Sequence, residues 1–311
     1  MIDYLTKLIH AGKRHKIRSL PHLGIWLWLL LCIPCLLASC GNDDDEKEKG
    51  LSVSLSWANE ADKGTEVKDV KLWIFNAGKD SLVEEKHYGS AEEMASQRFQ
   101  LPEGTYRILT TTNLSEPFFI KEQTRALSSW NNILIGLTNP KDVKNNAYFG
   151  VTDVRIDNKE GNYVVQNPVK SVLAELTIII ENVPKGTEMS GKALDAAGCL
   201  FPTQKNSDGD YGLPGIEPTE VEVPTILATE STLQSEVIRL MPTIQGSQAS
   251  HIYLRLLLPN ATLLEYDITA PVMKAGGKYE LRFKLEEMQP KIYLESDINN
   301  WKDLNKEVEI K

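Results

Sequence analysis

Four cysteines and five histidines are the residues of this chain best suited to metal, redox or nucleophilic chemistry. Cys32 and Cys35 have a redox spacing, but both sit in an apolar amino-terminal run, where the spacing carries no chemistry. Cys199, between Gly198 and Leu200, reads as a small buried hydrophobe rather than a nucleophile. His10, His15 and His22 precede the body of the protein. His87 and His251 lie far apart, each inside a strand-like pattern, so they lack the partners a zinc site needs. Asn206, Asp208 and Asp210 alternate, with Glu217 at the twelfth position, which imitates a calcium loop. Tyr211 stands where that loop needs glycine and Pro214 interrupts it, so the expectation is a polar loop. No metalloprotease, serine-hydrolase, phosphate-loop or dinucleotide motif occurs. The paired carboxylates Glu92-Glu93 and Glu286-Glu287 read as solvated charge. The chain is therefore expected not to be an enzyme, with no cofactor and no metal.

Cys40 is different, because its setting is organised. A basic region ends at Arg18, an apolar run follows from Leu23 to Leu37, and Leu37-Ala38-Ser39-Cys40 closes it. The run is shorter than the ~20 residues that span a bilayer, and Pro34 breaks it, so it reads as a signal peptide. The four closing residues resemble the lipobox of secreted bacterial lipoproteins. That resemblance implies cleavage before Cys40, lipid on its thiol and a further acyl chain on its amine, enough for stable anchoring. The tract after Cys40 is charged and has no apolar residue up to Gly50, so it reads as a solvated tether. Its run Asp43, Asp44, Asp45 and Glu46 resembles the export signal of surface-exposed lipoproteins in some diderm bacteria.

The elements that follow are strands. Apolar residues make up 41% and charged residues 25% of the 311, a globular composition. The first 39 residues hold five of the 34 basic and one of the 43 acidic residues, so the mature chain has a net charge of −13. Such acidity disfavours nucleic acid, whose phosphates require basic patches. Leu51, Val53, Leu55 and Trp57 alternate with serines, predicting a strand with one buried and one wet face. Val70 to Phe75 predicts a second strand with an aromatic outer face, and Ser81 to Tyr88 its partner. Ser90 to Ser96 predicts a short helix with Ser90 as N-cap and Glu93 at N3. Arg98 to Leu101, Thr105 to Thr112 and Ala147 to Ile156 predict further strands, the first two joined at Pro102-Glu103-Gly104. Val169 to Val183 is continuous and β-branched, which places it in a sandwich core. Residues 184–225 read as loop-rich from their prolines and glycines. Ser250 to Leu258 and Ala261 to Ile268 form a hairpin pattern; Lys278 to Leu285, Ile292 to Trp301 and Glu307 to Ile310 close the chain.

Short strands at regular spacing predict an all-β fold of sandwiches. Asn167-Pro168 is the expected boundary. The organisation is then a signal peptide at 1–39, a lipidated acidic tether at 40–50, and sandwiches at 51–167 and 168–311.

Several segments together resemble the fimbrillin-type lipoproteins of type V pili, and within them the FimB-like fimbrial anchor subunits. They are Leu51 to Trp57, Val70 to Phe75, Leu101-Pro102-Glu103-Gly104-Thr105-Tyr106, Val172 to Val183, and the end from Gly277 through Trp301 to Ile310. The resemblance implies two tandem transthyretin-like β-sandwiches that exchange strands with pilus stalk subunits. It implies an outer-membrane location at the cell surface, tethered through lipid on Cys40, as an anchor or assembly subunit. Stalk subunits of this kind are trimmed after an arginine near the amino terminus; here no arginine lies between Cys40 and Arg98, which fits an untrimmed anchor. The alternative is a tip adhesin or glycan-binding surface lipoprotein that would use Trp73, Trp130 or Trp301 as stacking platforms, although buried core tryptophans are the expected reading.

Overall fold

The computed structural model describes residues 49–122, 129–140, 143–286, 289–295 and 305–307. The strands of its first part are β1 (Gly50–Trp57), β2 (Val70–Asn76), β3 (Ser81–Tyr88), β4 (Gly104–Thr112), β5 (Phe118–Glu122), β6 (Ile133–Leu137), β7 (Tyr148–Ile156) and β8 (Asn162–Ser171). Then come β9 (Ala174–Glu181), β10 (Glu188–Ala197), β11 (Cys199–Lys205), β12 (Tyr211–Pro214), β13 (Pro218–Leu227), β14 (Thr232–Gln234) and β15 (Ile238–Leu240). The last are β16 (Ser250–Leu257), β17 (Leu263–Ala270), β18 (Lys278–Lys284), β19 (Gln289–Glu295) and β20 (Asn305–Glu307). The expected all-β architecture is present.

Four sheets result. The first has the order β1-β8-β7-β4-β2-β3, and the second β12-β11-β6-β5. The third runs β14-β9-β18-β19-β20 with β15 beside β9, and the fourth β13-β10-β16-β17. One face of the first sheet carries Leu51, Val53, Leu72, Ile74, Tyr106 and Ile108, covered by α1 (Ala91–Ala95) and the chain after it through Met94, Phe99 and Leu101. Its other face packs Trp73, Phe75 and Leu109 against Trp130 and Ile133. The aromatic outer face expected on β2 is thus a second core, because a second sheet covers it. The third and fourth sheets enclose a separate core that includes Leu176, Ile178, Ile180, Leu254 and Leu281.

Local signals act as elementary chemistry predicts. Ser90 Oγ caps α1 by accepting from Glu93 N–H at 3.2 Å, and the Glu93 carboxylate accepts from Gly89 N–H at 2.7 Å. The Tyr106 hydroxyl donates to the Pro102 carbonyl at 2.8 Å, pinning the bend before β4. The β16–β17 hairpin pairs in full register from Ser250↔Ala270 to Leu257↔Leu263.

Three expectations change. Residues 184–225 are not mainly loop; they form β10 to β13. Proline is tolerated there because β13, with Pro218 and Pro224, is an edge strand, and Gly191 lies at a β-bulge of β10, where a Cβ would meet the Tyr253 carbonyl. Arg98 to Leu101 contributes only a bridge between Phe99 and Leu51. Asn167 and Pro168 fall inside β8, and β11, from beyond them, pairs with β6. At the carboxyl end, β19 and β20 pair antiparallel over Lys291 to Tyr293 and Asn305 to Glu307; Trp301 and residues 308–311 lie outside the described residues.

Candidate functional site

The entry of the chain into the fold is tightly held. Lys49 Nζ meets Glu160 at 2.7 Å, and the Lys49 carbonyl accepts from Gln100 Nε2 at 2.8 Å. Gly50 N–H donates to the Gly161 carbonyl at 2.8 Å. Gly50 has φ +105°, and a Cβ there would lie 2.9 Å from the Phe99 carbonyl, so glycine is required. β1 then runs parallel to β8, from Gly50↔Asn162 to Trp57↔Val169. On its other edge Leu51 and Phe99 exchange both backbone hydrogen bonds at 2.9 Å. Ser52 is buried rather than wet, its hydroxyl donating to the Ala95 carbonyl at 3.0 Å. Leu51 and Val53 are fully buried, each contributing roughly 1.5–3 kcal/mol by burial alone. The first strand is therefore an integral part of the core.

The signal peptide, Cys40, and Asp43, Asp44, Asp45 and Glu46 lie outside the described residues. Cys199 is half-buried and its thiol is pushed up by burial, which suppresses the nucleophilic thiolate. His87 pairs with Asp69 and His251 with Asp195, whose carboxylate also accepts from the His251 backbone N–H at 2.8 Å. Asn206 Oδ1 accepts from the backbone N–H of Asp208 and of Asp210, both at 3.0 Å, closing a hairpin turn. Asp208 is paired with Lys274 at 2.8 Å. Among the described residues no group of His, Cys, Asp and Glu is placed to hold a metal ion. Trp73 and Trp130 are each only 2% exposed and offer no stacking face.

One polar cluster escaped sequence reasoning because its members are scattered. Glu175 on β9 accepts from Arg239 Nε on β15 at 3.3 Å and lies 3.6 Å from Lys278 Nζ on β18. Asn146 Nδ2, before β7, reaches the same carboxylate at 3.4 Å. Asp62, 7% exposed, lies close by; burial first, and then the Glu175 charge, push its carboxyl up, opposed by Lys278. Asn59 Nδ2 donates to the Gly276 carbonyl at 3.1 Å beside them. No periodicity marks such a set; only the fold assembles it, and its role is to join the β1–β2 connection to the strands after residue 173.

The match to a family of known proteins covers residues 42–304, nearly all of the body described above. No curated protein matches the sequence. Among solved structures, a candidate polysaccharide-binding protein of Bacteroides thetaiotaomicron is similar at 11% identity and TM-score 0.53, covering 83% of this chain and all of that one. The fimbrial anchor protein Mfa2 of Porphyromonas gingivalis is similar at 12% identity and TM-score 0.52, covering 79% of this chain and 96% of that one. A fimbrial assembly protein of Parabacteroides distasonis gives 12% identity and TM-score 0.52, over 79% and 94%. At such identities the structures establish a shared fold, while the family match rests on the sequence itself. The chain belongs to the family of fimbrillin-A associated anchor proteins Mfa1 and Mfa2.

Proposed function

We propose that this protein is a cell-surface anchor or assembly subunit of a type V pilus, held in the outer membrane by lipid on Cys40. It is non-catalytic and joins pilus subunits by strand exchange. The observation that carries this reading is the integration of β1. Its pairing with β8 and its buried Leu51 and Val53 describe a subunit whose groove is already filled by its own first strand. A trimmed subunit would lose that strand. Cleavage after Arg98 would remove β1, β2 and β3 together, half of the first sheet. Lys63 and Lys68, both exposed in the connection after β1, are the positions where trimming would release β1 alone. The tandem-sandwich organisation belongs to the same reading: the first sandwich takes its last long strand from β8, and β11, with β12 beside it, returns from the later part of the chain to pair with β6.

A mass spectrum of the mature amino terminus, from washed outer membranes, tests it. The expected species begins at acylated Cys40 with residues 41–50 intact. A species beginning after Lys47 or Lys49 would remove the tether and refute anchoring. One beginning after Lys63 or Lys68 would reassign the protein to the shaft.

A further inference from the structure

A cleft of about 510 Å³ opens beside the β11–β12 hairpin, closed by the chain at 242–248 and at 272–275 and by Lys170 at the end of β8. Its volume is that of small-ligand sites, which run roughly 300–1,000 Å³. Three lysines and two aspartates, Asp208 and Asp210, line it, an excess of positive charge in a protein that is acidic as a whole. Lys274 is paired with Asp208. The other two lysines rest on aromatic rings instead of carboxylates. Lys170 Nζ lies 5.4 Å from the centre of the Phe149 ring and Lys205 Nζ 5.0 Å from that of Tyr211. No carboxylate among the described residues forms an ion pair with either, and Asp210 acts on Lys170 only at longer range. Burial lowers the affinity of Lys170 for its proton, the cost of holding an ammonium in the wall without a bonded counter-ion.

The position of that ammonium is built. Phe149 is 1% exposed, and its ring packs over Gly212, where a Cβ would come within 2.7 Å of the ring edge. Gly212 also has φ +104°, a conformation that side chains disfavour. The cleft wall beyond these charges is mixed: Gln245 and Gln248 offer amides, while Pro214 and Val272, both half-buried, offer aliphatic surface. No exposed aromatic face lines it, so a sugar ring would have nothing to stack on.

We infer that this cleft is a binding site for a peptide carboxylate flanked by aliphatic side chains, with Lys170 as its principal counter-charge and Lys205 as the second. A charge-assisted hydrogen bond from Lys170 supplies the selectivity for a carboxylate over an amide of the same shape. The inference is independent of lipid tethering and of strand exchange, and survives if either fails.

Acetyl-Val-Glu-Val-amide and its glutamine counterpart, titrated calorimetrically into the full chain in detergent, test it. The glutamate peptide is expected to bind about tenfold tighter. That preference should vanish in Lys170→Met and shrink in Lys205→Gln, with both variants keeping the unfolding midpoint of the parent. Equal binding of the two peptides, no binding of the glutamate peptide, or a preference untouched by a folded Lys170→Met overturns the assignment. Binding of digalacturonate in the absence of peptide binding overturns it too, in favour of an acidic sugar.

Discussion

The Asn167 side chain on β8 reaches across the backbone of β7 to donate to the Thr110 hydroxyl on β4, at 2.9 Å. Gly150 of β7 is the register partner of Thr110 and makes this crossing possible. A Cβ at Gly150 would lie 2.8 Å from Asn167 Oδ1 and 2.6 Å from the Pro168 carbonyl. The same Asn167 amide donates to the Gly150 carbonyl at 3.2 Å. β7 and β8 pair only from Tyr148↔Ser171 to Gly150↔Val169. Pro168 has no N–H with which to continue, and the Asn167 side chain takes over where the ladder stops.

Replacing Asn167 with alanine should therefore destabilise the protein by about 1–3 kcal/mol, since it strips partners from buried polar groups. Gly150→Ala should break the same contact by obstruction. The two changes should be markedly non-additive in a double-mutant cycle followed by urea unfolding. Simple additivity would mean that the crossing contributes nothing.

Loss of β1 should open a groove that its own sequence can refill. Protein lacking residues 41–57 should unfold at lower temperature than the parent. A peptide of sequence Gly50–Trp57 should restore the midpoint, and one with Val53→Asp should not, because that position is fully buried. Restoration by both peptides would show that binding is not through the core-facing side chains.

Asp62 should make stability depend on pH in the acid range. Its folded carboxyl is raised above the ordinary value of 3.8, chiefly by burial. The folded state thus holds this proton more firmly than the unfolded chain. Between 3.8 and the raised value, stability falls as pH rises, and above that window the cost of the buried charge is fully present. Asp62→Asn should be more stable than the parent at neutral pH. The difference should disappear as pH falls below 3.8, when the carboxyl is neutral in both states. Thermal unfolding across that range checks the sign; a difference growing toward low pH would reverse the assignment.

The sequence alone determined what short-range chemistry controls. Alternation marked β1, β2 and β18, a hairpin pattern around Pro259-Asn260 marked β16 and β17, and the Ser90 cap with Glu93 marked the only predicted helix. The match over residues 42–304 bears out the family resemblance carried by ordered segments along the chain. Tertiary structure decided what depends on distant partners. Proline and glycine in residues 184–225 read as breaks, yet an edge strand needs no ladder on one side and a bulge accepts glycine. Asn167-Pro168 read as a boundary, yet the asparagine is buried and bonded across a sheet, because two strands far away in sequence present Gly150 and Thr110 to it. Lys170, Asp62 and Glu175 carried no local signature at all, since burial and electrostatic neighbours exist only once the sheets have packed.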